Sequence, residues 1–290
     1  MSQSAVSRLS SCRCLGTVRA VAHPISRQAA IAMVVWVGAF GSALGQDRLP
    51  AEVSQALSLR GSPDGNRRAV RMLTRLLSEE PSDRSVAQAL LRARHHWVEA
   101  DLQQRRDGHE DSVRIGLAFL QSTSHRVFDD FHDLRTSIEH IPSALDEVVF
   151  WTTLAFGRTI ADLALFKRAT AARDFEDVLV ALTHRSPRLF HAGPHRVLAR
   201  YRLKSPAFMG GSRQGAVKHA MRALHLAPAY AGNRVTLAEV LLETGRSEDV
   251  ARRLLREAAS SPDALSDHGE AEQRRSKAHA VRLLRQIQDP

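Results

Sequence analysis

Three features of the sequence predict an all-α fold. Ala, Leu and Arg recur along the 290 residues while only 5% are aromatic and Gly and Pro are sparse, a composition that favours helices over sheets. From Pro50 onward apolar residues recur at spacings of three and four, with no run of strict alternation. Four 13-residue segments also end on proline in the same way: Ala69 to Pro81, Phe175 to Pro187, Ala216 to Pro228 and Val250 to Pro262. At 43% hydrophobic residues the chain can bury a sizeable core.

The N-terminus is of a different kind. Arg8, Arg13, Arg19 and Arg27 lie in a stretch without acids, an uncharged apolar run from Gln28 to Gln46 follows, and small residues close it at Ala43, Leu44 and Gly45. That order predicts a secretory signal over residues 1–45, cleaved after Gly45, or else an uncleaved anchor over residues 28–46. Either way the remainder, residues 46–290, is expected to be one exported, periplasmic helical domain. Cys12 and Cys14 precede the apolar run and would leave with it, so stability must come from packing. Loss of the four arginines lowers the net charge from +10 to +6. The remaining arginines are scattered among acids, with too few stacking aromatics for a nucleic-acid surface.

Helices are expected at 66–79, 83–105, 109–121, 126–140, 143–171 and 270–288. The fifth, long and apolar, reads as a central core helix because Arg158 and Asp162 interrupt its one candidate span. Toward the C-terminus Pro228 and Pro262 are 34 residues apart, as are Gly211 and Gly245, which is the tetratricopeptide period. Between them the chain reads as a helix pair, 230–244 and 247–259. Ala216, Ala220 and Ala223 fall on one face and let a neighbouring helix approach closely. Glycine supplies the inter-helix turn, with a positive φ expected at Gly211, and proline ends the second helix. The fold class is thus an α-solenoid of tetratricopeptide-like hairpins with a long central helix.

Chemical motifs are weak throughout. Gly210 and Gly215 have phosphate-loop spacing, but Ala216 and Val217 stand where Lys and Ser/Thr are needed, so the glycine pair reads as a turn with Ser212 as the next helix's N-cap. His191 and His195 have the spacing of two zinc ligands on one face. Pro194 between them is better placed as the start of a helix, which leaves His191 in the preceding loop. Asp129, His132 and Asp133 read as an exposed acidic face. No catalytic residue, metal or cofactor is expected.

From Leu145 to Leu284 the sequence resembles the T-component family of tripartite ATP-independent periplasmic (TRAP) transporters. The resemblance is carried by "ALDEVVFWTTLAFG", by the Gly-x-His, Pro-x-x-x-Gly-Gly and Ala-x-x-His run of "FHAGPHRVLARYRLKSPAFMGGSRQGAVKHAMRAL", and by "VTLAEVLLETGR" and "EQRRSKAHAVRLL". Gly193, His195, Pro206, Gly210, Gly211, Ala216 and His219 match the motif. The sequence departs in having Ser212 where the family commonly has an acid, and it has no usable lipobox. The resemblance implies a non-enzymatic accessory, able to form a homo-oligomer, that docks the solute-binding subunit of such a transporter and binds an apolar ligand. Trp151, His195 and His219 are the candidate binding residues, on a groove between residues 148–166 and the helix pairs after Pro194. The alternative is a general cell-envelope scaffold for protein or peptide partners.

Overall fold

The computed structural model describes residues 50–100, 105–265 and 269–288; the signal or anchor expected over residues 1–45 lies outside them. Every element among the described residues is helical: α1 Ala51–Ser58, α2 Pro63–Glu79, α3 Arg84–Ala100, α4 Arg105–Ser124, α5 Phe131–Ser137, α6 Asp146–Thr159, α7 Leu165–Arg185, α8 Leu189–Lys204, α9 Arg213–Leu226, α10 Ala231–Glu243, α11 Glu248–Ala259 and α12 Glu270–Gln288. Helices α2 and α3, α4 and α6, α8 and α9, and α10 and α11 pack as pairs, with α12 laid against α10 and α11.

The recurring prolines act as one device. Helices α2, α7 and α9 each end two residues before Pro81, Pro187 or Pro228, on cap residues Glu80 (φ −129°, ψ 81°), Ser186 (−136°, 63°) and Ala227 (−142°, 72°). The shared conformation has a shared cause, because a proline ring clashes with a helical residue before it. At α11 the proline comes one residue later, and the cap Ser260 stays helical at φ −90°.

The helix pair after Pro228 lies where the period places it. Ala216, Ala220 and Ala223 are fully buried. The first two join Ala231, Ala238 and Ala251 in a core of small side chains beneath Leu254 and Leu255, and this permits close helix packing. A second core gathers Phe131, Leu134, Phe150, Trp151 and Leu179 from α5 to α7. A third holds Val53, Leu73 and Leu90 of α1 to α3.

Expectations of two kinds are corrected, in helix bounds and at one turn. The run foreseen as one helix over 143–171 is divided, with α6 ending at Thr159, a 3-10 turn following, and α7 starting at Leu165 after Leu163 and Ala164 adopt extended ψ of 149°. Neither proline nor glycine marks the break. Instead Arg168 donates to the carbonyls of Ala161 and Leu163, supplying from a side chain the partners that the interrupted helix loses. In the same way the helix foreseen over 126–140 begins only at Phe131. Asp130 caps it and Asp133 reaches back to the cap, the reciprocal arrangement of a capping box.

The second correction concerns the glycine turn. The positive φ belongs to Gly210 (86°) and Gly245 (68°), not to Gly211. Gly245 donates to Leu242 and Arg246 to Leu241; likewise Gly210 donates to Ala207 and Gly211 to Pro206. Both are Schellman closures, and Gly210 is the partner of Gly245. Gly211 is required for a different reason: a Cβ there would lie 1.9 Å from the carbonyl oxygen of Ser205. Ser212 then caps α9 as foreseen, accepting from the Gly215 amide.

The two glycines should therefore respond differently. Gly245→Ala should cost about 1 kcal/mol through φ alone, since nothing lies within 4 Å of its Cβ, and Gly245→Asn less. Gly211→Ala, meeting backbone that cannot move aside, should cost about 3 kcal/mol or more. Urea unfolding midpoints of the three variants decide it.

Candidate functional site

Helix α8 opens on an unusual stretch of backbone. Phe190 (φ 43°, ψ 59°), His191 (55°, 47°) and Ala192 (61°, 37°) are all left-handed before the helix turns right-handed with Gly193 and Pro194. Three such residues without glycine cost roughly 1–2 kcal/mol each, so neighbouring groups must hold them. Arg196 donates from Nη1 to the His191 carbonyl and to Asn233 Oδ1, both at 3.0 Å. Asn233, fully buried, donates in turn to the carbonyls of His191, Ala223 and Ala227. Gly193 is needed because a Cβ would come within 2.6 Å of the Phe150 ring.

The turn delivers two rings to an aromatic and cationic cluster. Phe190 packs edge-on to Trp151 at 4.8 Å, and the Arg92 guanidinium lies 4.6 Å over its centroid. His191 stacks on Tyr230 at 4.7 Å and 11°, with Arg196 4.6 Å over the Tyr230 ring. Phe190 and His191 are half-buried, whereas Trp151 and Tyr230 are buried. These cation-over-ring contacts are each worth up to about 2 kcal/mol when desolvated.

Beside it lies a charged hub. Glu272, at the start of α12, accepts through Oε1 from Arg60, from Arg92 Nε at 2.8 Å and from His96 Nε2 at 2.8 Å, while Arg275 reaches His96 Nδ1 at 2.8 Å. Burial alone would raise the Glu272 carboxyl, but His96, Arg92 and Arg60 outweigh it and hold it well below the usual range. Burial also holds His96 below its ordinary value. The hub joins the first helices to the last and, through Arg92, to the Phe190 ring.

His195 and His219, 24 residues apart in sequence, come together away from both hub and turn: their Nδ1 atoms are 3.0 Å apart. Burial first, then Arg222 and His184, push His195 down to about 4. Burial, then Arg202, His195, Lys218 and His184, do the same to His219. One ring donates and the other accepts, and the contact pins α8 to α9.

Of the expected binding residues, Trp151 is 2% exposed and donates Nε1 to Glu147. It forms the floor of the aromatic cluster rather than the lining of an open groove, because α3 and the left-handed turn cover it. His195 and His219 form one pair instead of two independent contacts. Among the packing residues, Gly193, Ala216, Ala220, Ala223, Pro228, Gly245 and Pro262 take the roles described above, and Pro206 accepts the closing bond of the glycine turn. His191 and His195 are separated by the turn, one on Tyr230 and the other on His219. Asp133 serves backbone amides of Asp129 and Asp130, and His132 turns onto Asp174 at 3.1 Å. Sequence reasoning missed Arg92, Phe190, Arg196, Asn233 and Glu272. Only Asn233, a polar residue amid the apolar run of α10, carried a usable signal.

No family model matches the chain, and no curated protein does. A thermophilic TPR protein of Thermus thermophilus is similar in structure, with a TM-score of 0.50 and 17% identity over 88% of this chain and 99% of that one. At that identity the likeness concerns fold alone, an array of tetratricopeptide-like helical hairpins.

Two responses follow from the charges. Removing the shared carboxylate in Glu272→Ala should cost about 3–5 kcal/mol, since Arg60, Arg92 and His96 each lose a buried bond to it, and α12 amides should lose hydrogen-exchange protection first. The histidine pair acts in a separate pH window. Both pKa values fall from 6.5 to about 4 on folding, so their contribution is complete above pH 6.5 and is lost as pH falls through 4. Discounted for solvent screening at the partly exposed His219 ring, roughly 2 kcal/mol should disappear across that window. His219→Gln should flatten the urea midpoint's dependence on pH there.

Proposed function

We propose that this chain is a non-enzymatic scaffold that binds a protein or peptide partner. One observation carries the reading: the side chains whose chemistry drew notice in the sequence are occupied in holding helices together. Asp130 caps α5 with Asp133 reaching back to it, the glycine pair closes a turn, and His195 and His219 pair across helices. A stack of helical hairpins offers extended surface made from many helix faces, which suits recognition of another chain. The order of basic, apolar and small residues at the N-terminus supports export to the cell envelope.

A finer reading, docking the solute-binding subunit of a TRAP transporter, is supported by the sequence resemblance from Leu145 to Leu284. The scaffold reading has the additional support of the hairpin fold and is preferred. The burial of Trp151 argues against an apolar ligand contacting that side chain directly.

Chemical cross-linking in envelope material from the source organism, followed by isolation of the chain, tests both. A discrete protein cross-linked at reproducible sites is expected. If that protein is a TRAP solute-binding subunit, the finer reading gains; if it is an envelope-assembly protein, the general one does. Recovery of the chain alone at every cross-linker length would overturn the proposal.

A further inference from the structure

Helix α9 differs from its neighbours in how its charges are used. On α8, Arg200 pairs with Glu239, Arg202 with Glu176 and Lys204 with Glu243. On α10 and α11, Arg234 pairs with Glu257 and Arg252 with Glu248. Helix α9 reads RQGAVKHAMRALHL, with no acid in it. Arg213, Lys218 and Arg222 are exposed and make no ion pair among the described residues.

The solvent face of α9 is also continuous. Ala216, Ala220, Ala223 and Leu226 are buried, which turns Gln214, Lys218, Met221, Arg222 and His225 outward in one stripe at helical spacing. Met221 in its middle is 58% exposed, and methionine adapts readily to a partner's apolar side chain. Beside the stripe, the cations acting on His219 are Arg202, which Glu176 pairs, and Lys218 of the stripe itself.

We propose that this face of α9 docks an acidic segment of a partner protein, whose carboxylates pair with Lys218 and Arg222 around an apolar residue seated on Met221. The proposal rests on the scaffold reading and specifies its partner. Charge complementarity chooses this occupant. A nucleic-acid strand would find no aromatic ring on the stripe to stack against. A bilayer would need an apolar face to bury, and the apolar face of α9 is already in the core.

Exposed ion pairs are individually weak and screened by salt, so the contact should be modest in affinity and steep in ionic strength. The test uses fluorescence anisotropy with the full chain and a labelled peptide, Glu-Glu-Leu-Glu-Glu, with Lys-Lys-Leu-Lys-Lys as its opposite. The acidic peptide should bind and the basic one should not. Lys218→Glu with Arg222→Glu should weaken binding about tenfold or more, and Met221→Ala several-fold, at unchanged circular dichroism and unfolding midpoint. Arg68→Glu with Arg71→Glu on α2 makes the same charge change elsewhere and should leave affinity within about twofold. Equal affinity of wild type and the α9 double variant, or equal losses in both double variants, would overturn the proposal. So would binding of oligonucleotide or anionic vesicles, but not peptide, that depends on Lys218 and Arg222. A partner cross-linked undiminished to the α9 variant would reject this face while leaving the scaffold reading intact.

Discussion

One buried carboxylate joins the two ends of the fold. Glu272 lies 212 residues from Arg60 and 180 from Arg92 in sequence, yet it bonds both, with His96 alongside. In an open solenoid each hairpin touches only its neighbours; here the last helix also meets the first ones. Taking these charges out of water is costly, and a lone buried Glu or Arg would be intolerable. Because Arg60 and Arg92 share the carboxylate, it ties the N-terminal helices to α12.

The left-handed turn at Phe190 to Ala192 depends on that arrangement. Arg92 is held by Glu272 through Nε while its guanidinium covers the Phe190 ring. Arg196 and Asn233 complete the support from the opposite side, by taking the carbonyls that a normal helical start would direct elsewhere. The strain is thus balanced by buried and partly buried polar contacts. It presents the Phe190 and His191 rings next to one another, with centroids 5.5 Å apart.

The C-terminal hairpins rest on a different principle. Their core is mostly alanine, so the helices are held by close approach rather than by large interlocking side chains. That leaves little room for error at the turns. It explains why Gly210 and Gly211, adjacent in sequence, serve unlike purposes, one for its dihedral angle and one for its missing Cβ. It also places the His195 and His219 pair as a specific polar tie between two helices whose apolar contact is otherwise nonspecific.

The amino-acid sequence by itself determined what local sterics and periodicity control. Proline terminated α2, α7 and α9, Ser212 capped α9, and the alanine stripe named its buried face, because each effect acts within a few residues along the chain. The hairpin period after Gly211 was legible for the same reason. Tertiary structure alone decided the break after Thr159, the left-handed entry to α8, the burial of Trp151 and the partners of Glu272. In each case the deciding group lies in another helix or acts across a loop, as when Arg168 satisfies the carbonyls of a helix that propensity would have continued. A side chain distant in sequence leaves no periodic trace, and its contribution exists only once the packing has brought it within hydrogen-bonding reach.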